Sequence, residues 1–152
     1  MTDSKISDLE YHIGYWLRFV SNHVSFSFRD RLVQYGVTVA EWVALRSLYN
    51  RAPCTLGELS EQIGIDLGAT SRLVEKIIKK KLALREISTK DRRYVTLNLS
   101  VTGKKLIPKL AREADLNDEF FFDKLSKEDK RHLLRIMKTL VETHKLKEKP
   151  TV

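Results

Sequence analysis

One stretch, residues 55–100, constrains the fold of this chain more than any other. It opens with Thr55-Leu-Gly-Glu58, a capping box: the Thr hydroxyl satisfies an orphan amide and the Glu reaches back to the cap. Leu56, Leu59 and Ile63 then recur at helical spacing, and Gly64 can take the positive φ that ends a helix. Asp66 is placed to cap a second helix, expected over residues 67–80, whose apolar stripe is Leu67, Thr70, Leu73 with Val74, and Ile77 with Ile78. Its opposite face carries Ser71, Arg72, Glu75, Lys76, Lys79 and Lys80. Two amphipathic helices joined by about four residues, with Gly in the turn, have helix-turn-helix spacing.

An ordinary two-helix corner has the same spacing, so the residues that follow decide. Val95, Leu97 and Leu99 alternate with Thr96 and Asn98, the period of a strand with one buried face. Residues 84–88 form a weaker strand, and Thr89-Lys90-Asp91-Arg92 between them is polar and turn-forming. The expected fold is therefore mainly α with a small two-stranded β-wing. This winged helix-turn-helix offers one helix to a DNA major groove and holds the hairpin beside it.

Charge points the same way. Residues 72–93 hold nine Lys/Arg and three acids, a net +6, against +8 for all 152 residues. A solvated helix face usually mixes signs; an excess gathered on one helix and one adjacent tip is the footprint of a polyanion partner.

These residues resemble the MarR family of bacterial transcriptional regulators. Ala69-Thr-Ser-Arg-Leu-Val74 is similar to that family's recognition helix, with Arg72 at its arginine. Asp91 and Arg93 fall on its wing signature, and Leu99 to Gly103 on its Leu-Thr-x-x-Gly pattern, with Ser100 where Thr is usual. Lys81 departs from the pattern, since the family often has Gly there. The resemblance covers nearly the whole chain and implies a homodimer formed through N- and C-terminal helices.

The flanking sequence suits that expectation. Residues 7–35 read as one long helix, with Leu9, Ile13, Trp16, Val20 and Val24 stepping by threes and fours. Thr38-x-x-Glu41 is a second capping box, opening a helix to about Asn50 that Ala52-Pro53 breaks. A helix from Thr102 or Gly103 to about Asp123 contains Pro108, and Ser126-x-x-Asp129 caps a last helix carrying Leu133, Leu134, Ile136, Met137, Leu140 and Val141. Residues 145–152 have the composition of a frayed end. The expected organisation is a single domain, with a DNA-binding lobe over about 38–100 and dimerisation helices over about 6–35 and 102–146. Helices that merely wrap their own core are the other reading. Two-fold symmetry favours the dimer, because it matches a palindromic operator.

The functional expectation is a sequence-specific double-stranded DNA-binding regulator, a repressor released by a small effector. Thr55 and Gly68, Ala69, Thr70, Ser71 and Arg72 would lie at helix starts, where amides hold phosphates and base edges are in reach. Lys76, Lys79 and Lys90 would supply charge; Arg92 or Arg93 would enter the minor groove. The resemblance implies that Asp91 orients the wing through an ion pair with a nearby Arg. Family members often bind small aromatic acids between the dimer helices and the DNA-binding lobe. In such a pocket His12, Trp16, Phe19, Trp42 and Arg46 would stand, Arg46 answering a carboxylate. Nine of the 13 aromatics fall in the first 49 residues, though an aromatic stripe at helical spacing is also what plain core looks like.

Other classes find less support. No phosphate loop, nucleophile elbow or zinc-hydrolase helix is present, so no enzyme, cofactor or metal is expected. His12, His23, His132 and His144 form no pair at ligand spacing. A winged-helix protein-interaction module without specific DNA binding has no need of the basic wing. The single cysteine, Cys54, excludes an intrachain disulfide and suits a buried structural thiol better than a redox switch. With no secretory pattern and no apolar run of roughly 20 residues, the cytoplasm is the expected compartment and no membrane partner is expected.

Overall fold

The structure is a computed structural model, and it describes residues 6–152. A single 3-10 turn, Leu9–Tyr11, precedes α1 (Ile13–Val33), α2 (Val39–Arg51), α3 (Leu56–Ile63) and α4 (Leu67–Lys79). The strands β1 (Ala83–Ile87) and β2 (Val95–Leu99) form an antiparallel pair, and α5 (Val101–Phe122) and α6 (Lys127–Thr143) close the chain. Among the described residues no helix is long and apolar enough to cross a membrane.

The capping residues set the boundaries largely as expected. Thr38 with Glu41 and Thr55 with Glu58 each form a complete capping box. Asp66 accepts from the Ala69 amide at the start of α4, and Ser126 accepts from Asp129 at the start of α6. The first helix is a correction: it starts at Ile13 rather than near residue 7, because His12 is extended. The Trp16 indole donates to the Glu10 carbonyl at 2.8 Å and ties the preceding 3-10 turn down as a separate piece.

The core lies between α2, α3, α4 and the wing. Leu45, Leu48, Leu59, Ile63, Val74 and Ile77 are fully buried, joined by Leu32 from α1 and Leu110 from α5. Cys54 adds a third edge to the sheet, since its amide and carbonyl exchange hydrogen bonds with Leu97 at 3.2 and 2.7 Å. Its thiol is buried, and that burial, with Glu58 nearby, raises its pKa and keeps it protonated. The wing leaves the core towards its tip: Leu97 and Leu99 are buried, whereas Val95, expected on the buried face, is exposed. Leu67, placed in the apolar stripe of α4, is likewise exposed, since the first turn projects past the core.

Two junctions fix how α4, the wing and α5 meet. At the end of α4, the Leu82 amide donates to the Ile77 carbonyl and the Lys81 amide to the Ile78 carbonyl, with Lys81 at φ 60°. This is a Schellman stop, with lysine at a left-handed position that favours glycine. At the start of α5, Ser100 accepts from the Gly103 amide and donates to the Lys81 carbonyl at 2.7 Å. A Cβ on Gly103 would lie 2.0 Å from the Leu82 carbonyl oxygen, so only glycine lets α5 seat against the wing. Pro108, the eighth residue of α5, is carried inside the helix.

α5 is held to α1 by polar contacts. Glu113 accepts from Tyr35 at 3.1 Å and Gln34 at 3.3 Å and pairs with Arg31 at 3.5 Å; Asn117 Nδ2 donates to the Val24 carbonyl at 3.1 Å. α6 is different, for none of its residues is buried. Beyond it, residues 145–152 are not the frayed end that composition suggests. The Lys149 amide donates to the Ile63 carbonyl at 2.9 Å, and the Lys147 carbonyl oxygen lies 2.4 Å from where a Gly64 Cβ would stand. Gly64, at φ 82°, lacks the side chain that would block this approach.

Candidate nucleic-acid interface and ligand cavity

α4 presents a polar face because its apolar residues are consumed by the core. Thr70, Leu73, Val74 and Ile77 are buried, leaving Arg72, Glu75, Lys76 and Lys79 exposed along the other side. Gly68 is exposed in the first turn, with Ala69 and Ser71 half-buried beside it. The Arg72 guanidinium folds back over this turn, its Nη1 3.5 Å from where a Gly68 Cβ would lie. Among the described residues Arg72 forms no ion pair, so its charge is free.

One expected contact fails. Thr70 is fully buried and its hydroxyl donates to the Asp66 carbonyl at 2.9 Å, so it packs the helix start and cannot reach a base edge. Thr55 is half-buried and committed to its capping box, which leaves its helix start, rather than its side chain, for an anion.

In the wing, Asp91 takes Arg93 in a two-pronged ion pair, with Nη2 to Oδ2 at 2.7 Å and Nε to Oδ1 at 3.0 Å, and also accepts the Arg93 amide. Those bonds hold the Asp91 carboxyl below the usual carboxylate range and raise Arg93 further. The ion pair expected at Asp91 is thus made with Arg93 itself, while Lys90 and Arg92 stand exposed on the same tip.

Not every cation of residues 72–93 faces outward. Arg85 on β1 pairs with Glu75 on α4 and joins wing to helix. Lys80 donates to both oxygens of Glu41, at 2.9 and 2.7 Å, and to the Gly36 carbonyl at 2.7 Å. The Glu41 side chain is only 2% exposed, so Lys80 braces α4 against α2 and neutralises a buried carboxylate. That role was illegible in sequence, because Glu41 already had a cap to make and lies 39 residues away. With Lys80, Arg85 and Arg93 engaged, the cations left without an ion pair among the described residues are Arg72, Lys76, Lys79, Lys81, Lys90 and Arg92.

The expected five-residue pocket is not assembled within one chain. Trp16 and Phe19 are half-exposed on α1 and pack with each other at 6.3 Å between ring centroids. His12 is exposed on the residue before α1, and Arg46 is spent on Asn50 and lies over Tyr49. Trp42 alone reaches a cavity, where it meets Phe28 edge-on at 6.4 Å. The sequence stripe misled because the apolar residues in the first half of α1, Ile13, Trp16, Leu17, Phe19 and Val20, are exposed rather than packed into the core. The cavity has a volume of about 250 Å³ between α1, α2 and α5, walled by Val24, Phe28, Val39, Trp42 and Val43. Ser25, Ala114, Asn117 and Asp118, with Pro150 and Val152 from the C-terminal segment, complete the wall. Among the described residues no group of three or more His, Cys, Asp or Glu is placed to hold a metal ion.

Comparison with known proteins adds three findings. Residues 37–95 match the model of the MarR family. The chain is 30% identical over 106 residues to YsmB, an uncharacterized HTH-type transcriptional regulator of Bacillus subtilis, spanning 68% of this chain and 73% of that protein. Two solved structures share its fold. The Staphylococcus aureus MepR–DNA complex superposes with a TM-score of 0.77 at 19% identity, covering 87% of this chain and 98% of MepR. CouR from Rhodococcus jostii, bound to p-coumaroyl-CoA, also gives 0.77, at 18% identity over 89% of this chain and 95% of CouR.

Proposed function

Since the chain belongs to the MarR family of winged helix-turn-helix, DNA-binding transcriptional regulators, we propose that it acts as a homodimeric repressor on a palindromic operator and is released by a small molecule. The observation that carries this reading is the set of unpaired cations on two braced elements. Arg72, Lys76 and Lys79 on α4 and Lys90 and Arg92 on the wing are exposed, while Lys80–Glu41 and Arg85–Glu75 hold those elements in place. α4 lies in the major groove, its first turn (Gly68, Ala69, Ser71) against the backbone and Arg72 reaching guanine. Lys76, Lys79 and Lys90 neutralise phosphates, and the amides at the start of α3, beyond Thr55, hold another. Arg92 enters the minor groove, with Asp91 and Arg93 stiffening the tip from which it projects.

The dimer reading is supported by α6. Leu134, Ile136, Leu140 and Val141 are between 41% and 57% exposed, too much apolar surface on one helix to leave in water. A second copy supplies its cover, and two-fold symmetry then spaces two α4 helices about one turn of DNA apart. The cavity beside Trp42 lies where α1 and α5 meet α2 of the lobe, so a molecule lodged there shifts the lobes relative to the dimer helices. That MepR is known with DNA and CouR with an acyl-CoA supports both halves of the proposal.

Gel-shift titration of a promoter fragment tests it. The expected result is a complex that resists competitor DNA and is lost in Arg72→Ala; a complex that competitor removes as readily as it removes random duplex overturns it.

A further inference from the structure

Residues 147–152 return from the end of α6 to the lobe. The Leu146 amide donates to the Val141 carbonyl at 3.0 Å and the Lys145 amide to the Glu142 carbonyl at 3.2 Å, with Lys145 at φ 52°. This Schellman stop turns the chain back from α6. The Lys149 amide then donates to the carbonyl of Ile63, the last residue of α3, at 2.9 Å. Carbonyls in the last turn of a helix have no partner within it, and the segment supplies one. Its backbone passes directly over Gly64, where a Cβ would stand 2.9 Å from the Lys147 carbonyl carbon and 3.0 Å from Glu148 Cα. Gly64 begins the turn into α4, whose cap is Asp66. The same segment reaches the cavity beside Trp42, for Pro150 and Val152 form part of its wall, while every other lining residue belongs to α1, α2 or α5. Little holds this part of the wall. Residues 147–150 are exposed, Val152 is 97% exposed, and Lys149–Ile63 is the one hydrogen bond between residues 147–152 and the rest of the chain among the described residues. The cavity, at about 250 Å³, falls short of the roughly 300–1,000 Å³ of most ligand pockets. A molecule of ordinary ligand size therefore needs one wall to give, and packed helices give last.

We propose that residues 147–152 are a detachable strap joining the cavity to the α3–α4 turn. Docked, the strap braces the turn and narrows the cavity. A molecule seated against Trp42 displaces Pro150 and Val152, pulls Lys149 from Ile63 and loosens the start of α4. One segment with two arrangements, each favoured by a different site, is what coupling between sites requires. Service as a relay rests on the effector reading above; the docking of the strap does not. One hydrogen bond and an exposed backbone make docking about a fivefold equilibrium, small enough for a ligand to reverse.

NMR tests the docking with neither ligand nor DNA present. The Lys149 amide should exchange with solvent about fivefold more slowly than in an unstructured peptide. Gly64→Asn sets a Cβ in the path of the strap with a residue that tolerates left-handed backbone, and should return Lys149 to the peptide rate. The Trp42 indole N–H resonance, assigned with Trp16→Phe because the chain has two tryptophans, should move to one common position in Gly64→Asn and in a variant lacking residues 147–152. The shortened variant keeps the turn as it is and decides the matter even where Gly64→Asn fails to fold. Lys149 at the peptide rate in the unsubstituted protein, a Trp42 resonance unmoved by loss of residues 147–152, or one that a folded Gly64→Asn leaves in place overturns the strap. Operator affinity tests the relay. The shortened variant loses Lys147, Glu148 and Lys149, a net +1, and Lys149→Gln loses the same charge while keeping the amide. The shortened chain should bind operator about fivefold more weakly than Lys149→Gln. Equal affinity overturns the relay and leaves the NMR result standing, so failure of the effector reading is told apart from failure of the strap.

Discussion

The lobe around α4 and the helix α6 are built from similar fractions of leucine and isoleucine, yet they treat them oppositely. In the lobe Leu45, Leu48, Leu59, Ile63 and Ile77 are fully buried, whereas α6 buries none of its residues. The lobe is therefore a finished core, and on the dimer proposed above α6 is half of one. The proposed function accounts for the contrast: rigidity where a groove is to be matched, and uncovered apolar surface where a second copy would dock.

The largest expected effect separates the two regions directly. Ile77→Ala removes a fully buried side chain under α4 and should cost about 2–5 kcal/mol in urea unfolding, independent of protein concentration. Leu134→Asp with Leu140→Asp on α6 should leave the amides of the lobe core as protected from hydrogen exchange as before. Sedimentation of that double variant should show a single chain. Were it to remain dimeric, the contrast between the two regions would collapse.

A smaller effect is expected at the brace between α2 and α4. Lys80→Met leaves the Glu41 carboxylate 2% exposed without its cation, which should lower stability by about 2 kcal/mol, discounted for the 40% exposure of Lys80. Thermal unfolding of Lys80→Met and of the double variant Lys80→Met/Glu41→Leu checks the cause, since removing both charges should recover much of the loss. Smaller still, and of opposite sign, Lys81→Gly should stabilise by about 1 kcal/mol, because it relieves a lysine held at φ 60°.

How much of this could be read from the sequence follows from how local each signal is. The capping boxes at Thr38 and Thr55, the caps at Asp66 and Ser126 and the wing alternation are determined by neighbours within a few residues, and they stand where the pattern puts them. Errors fall where the third dimension decides. Thr70 looked polar and available but is turned into the core; Leu67 and Val95 looked buried but lie where the core has run out. His12, Trp16 and Phe19 keep a helical period with one another and Arg46 lies one turn beyond Trp42, yet period says nothing about which of them share a cavity. Asn117, in a helix of otherwise unremarkable polarity, became legible as a tie between α5 and α1 only once Val24 stood beside it.

The smallest expected effect is at the wing tip, a third kind of region that is neither core nor interface between copies. Asp91 titrates below its ordinary value because Arg93 holds it charged. The stability it contributes is therefore present above the ordinary carboxylate pKa and is lost as pH falls through the lowered, folded-state value. NMR titration should show the Arg93 Nε–H resonance and the chemical shifts of residues 89–94 changing together in that acid range, while those of α4 stay put. Arg93→Gln should raise the Asp91 pKa only part of the way back, since the amide of residue 93 still donates to the carboxylate.

The central claim is that the free cations of α4 and of the wing grip one duplex together. Fluorescence anisotropy against an operator fragment, from about 50 mM to about 200 mM salt, tests it most directly. The predicted result is a steep linear fall of log affinity with log salt, with Lys76→Ala and Lys90→Ala each reducing the slope by about one. Affinity that stays level across that range, or a slope unmoved by either substitution, would contradict it.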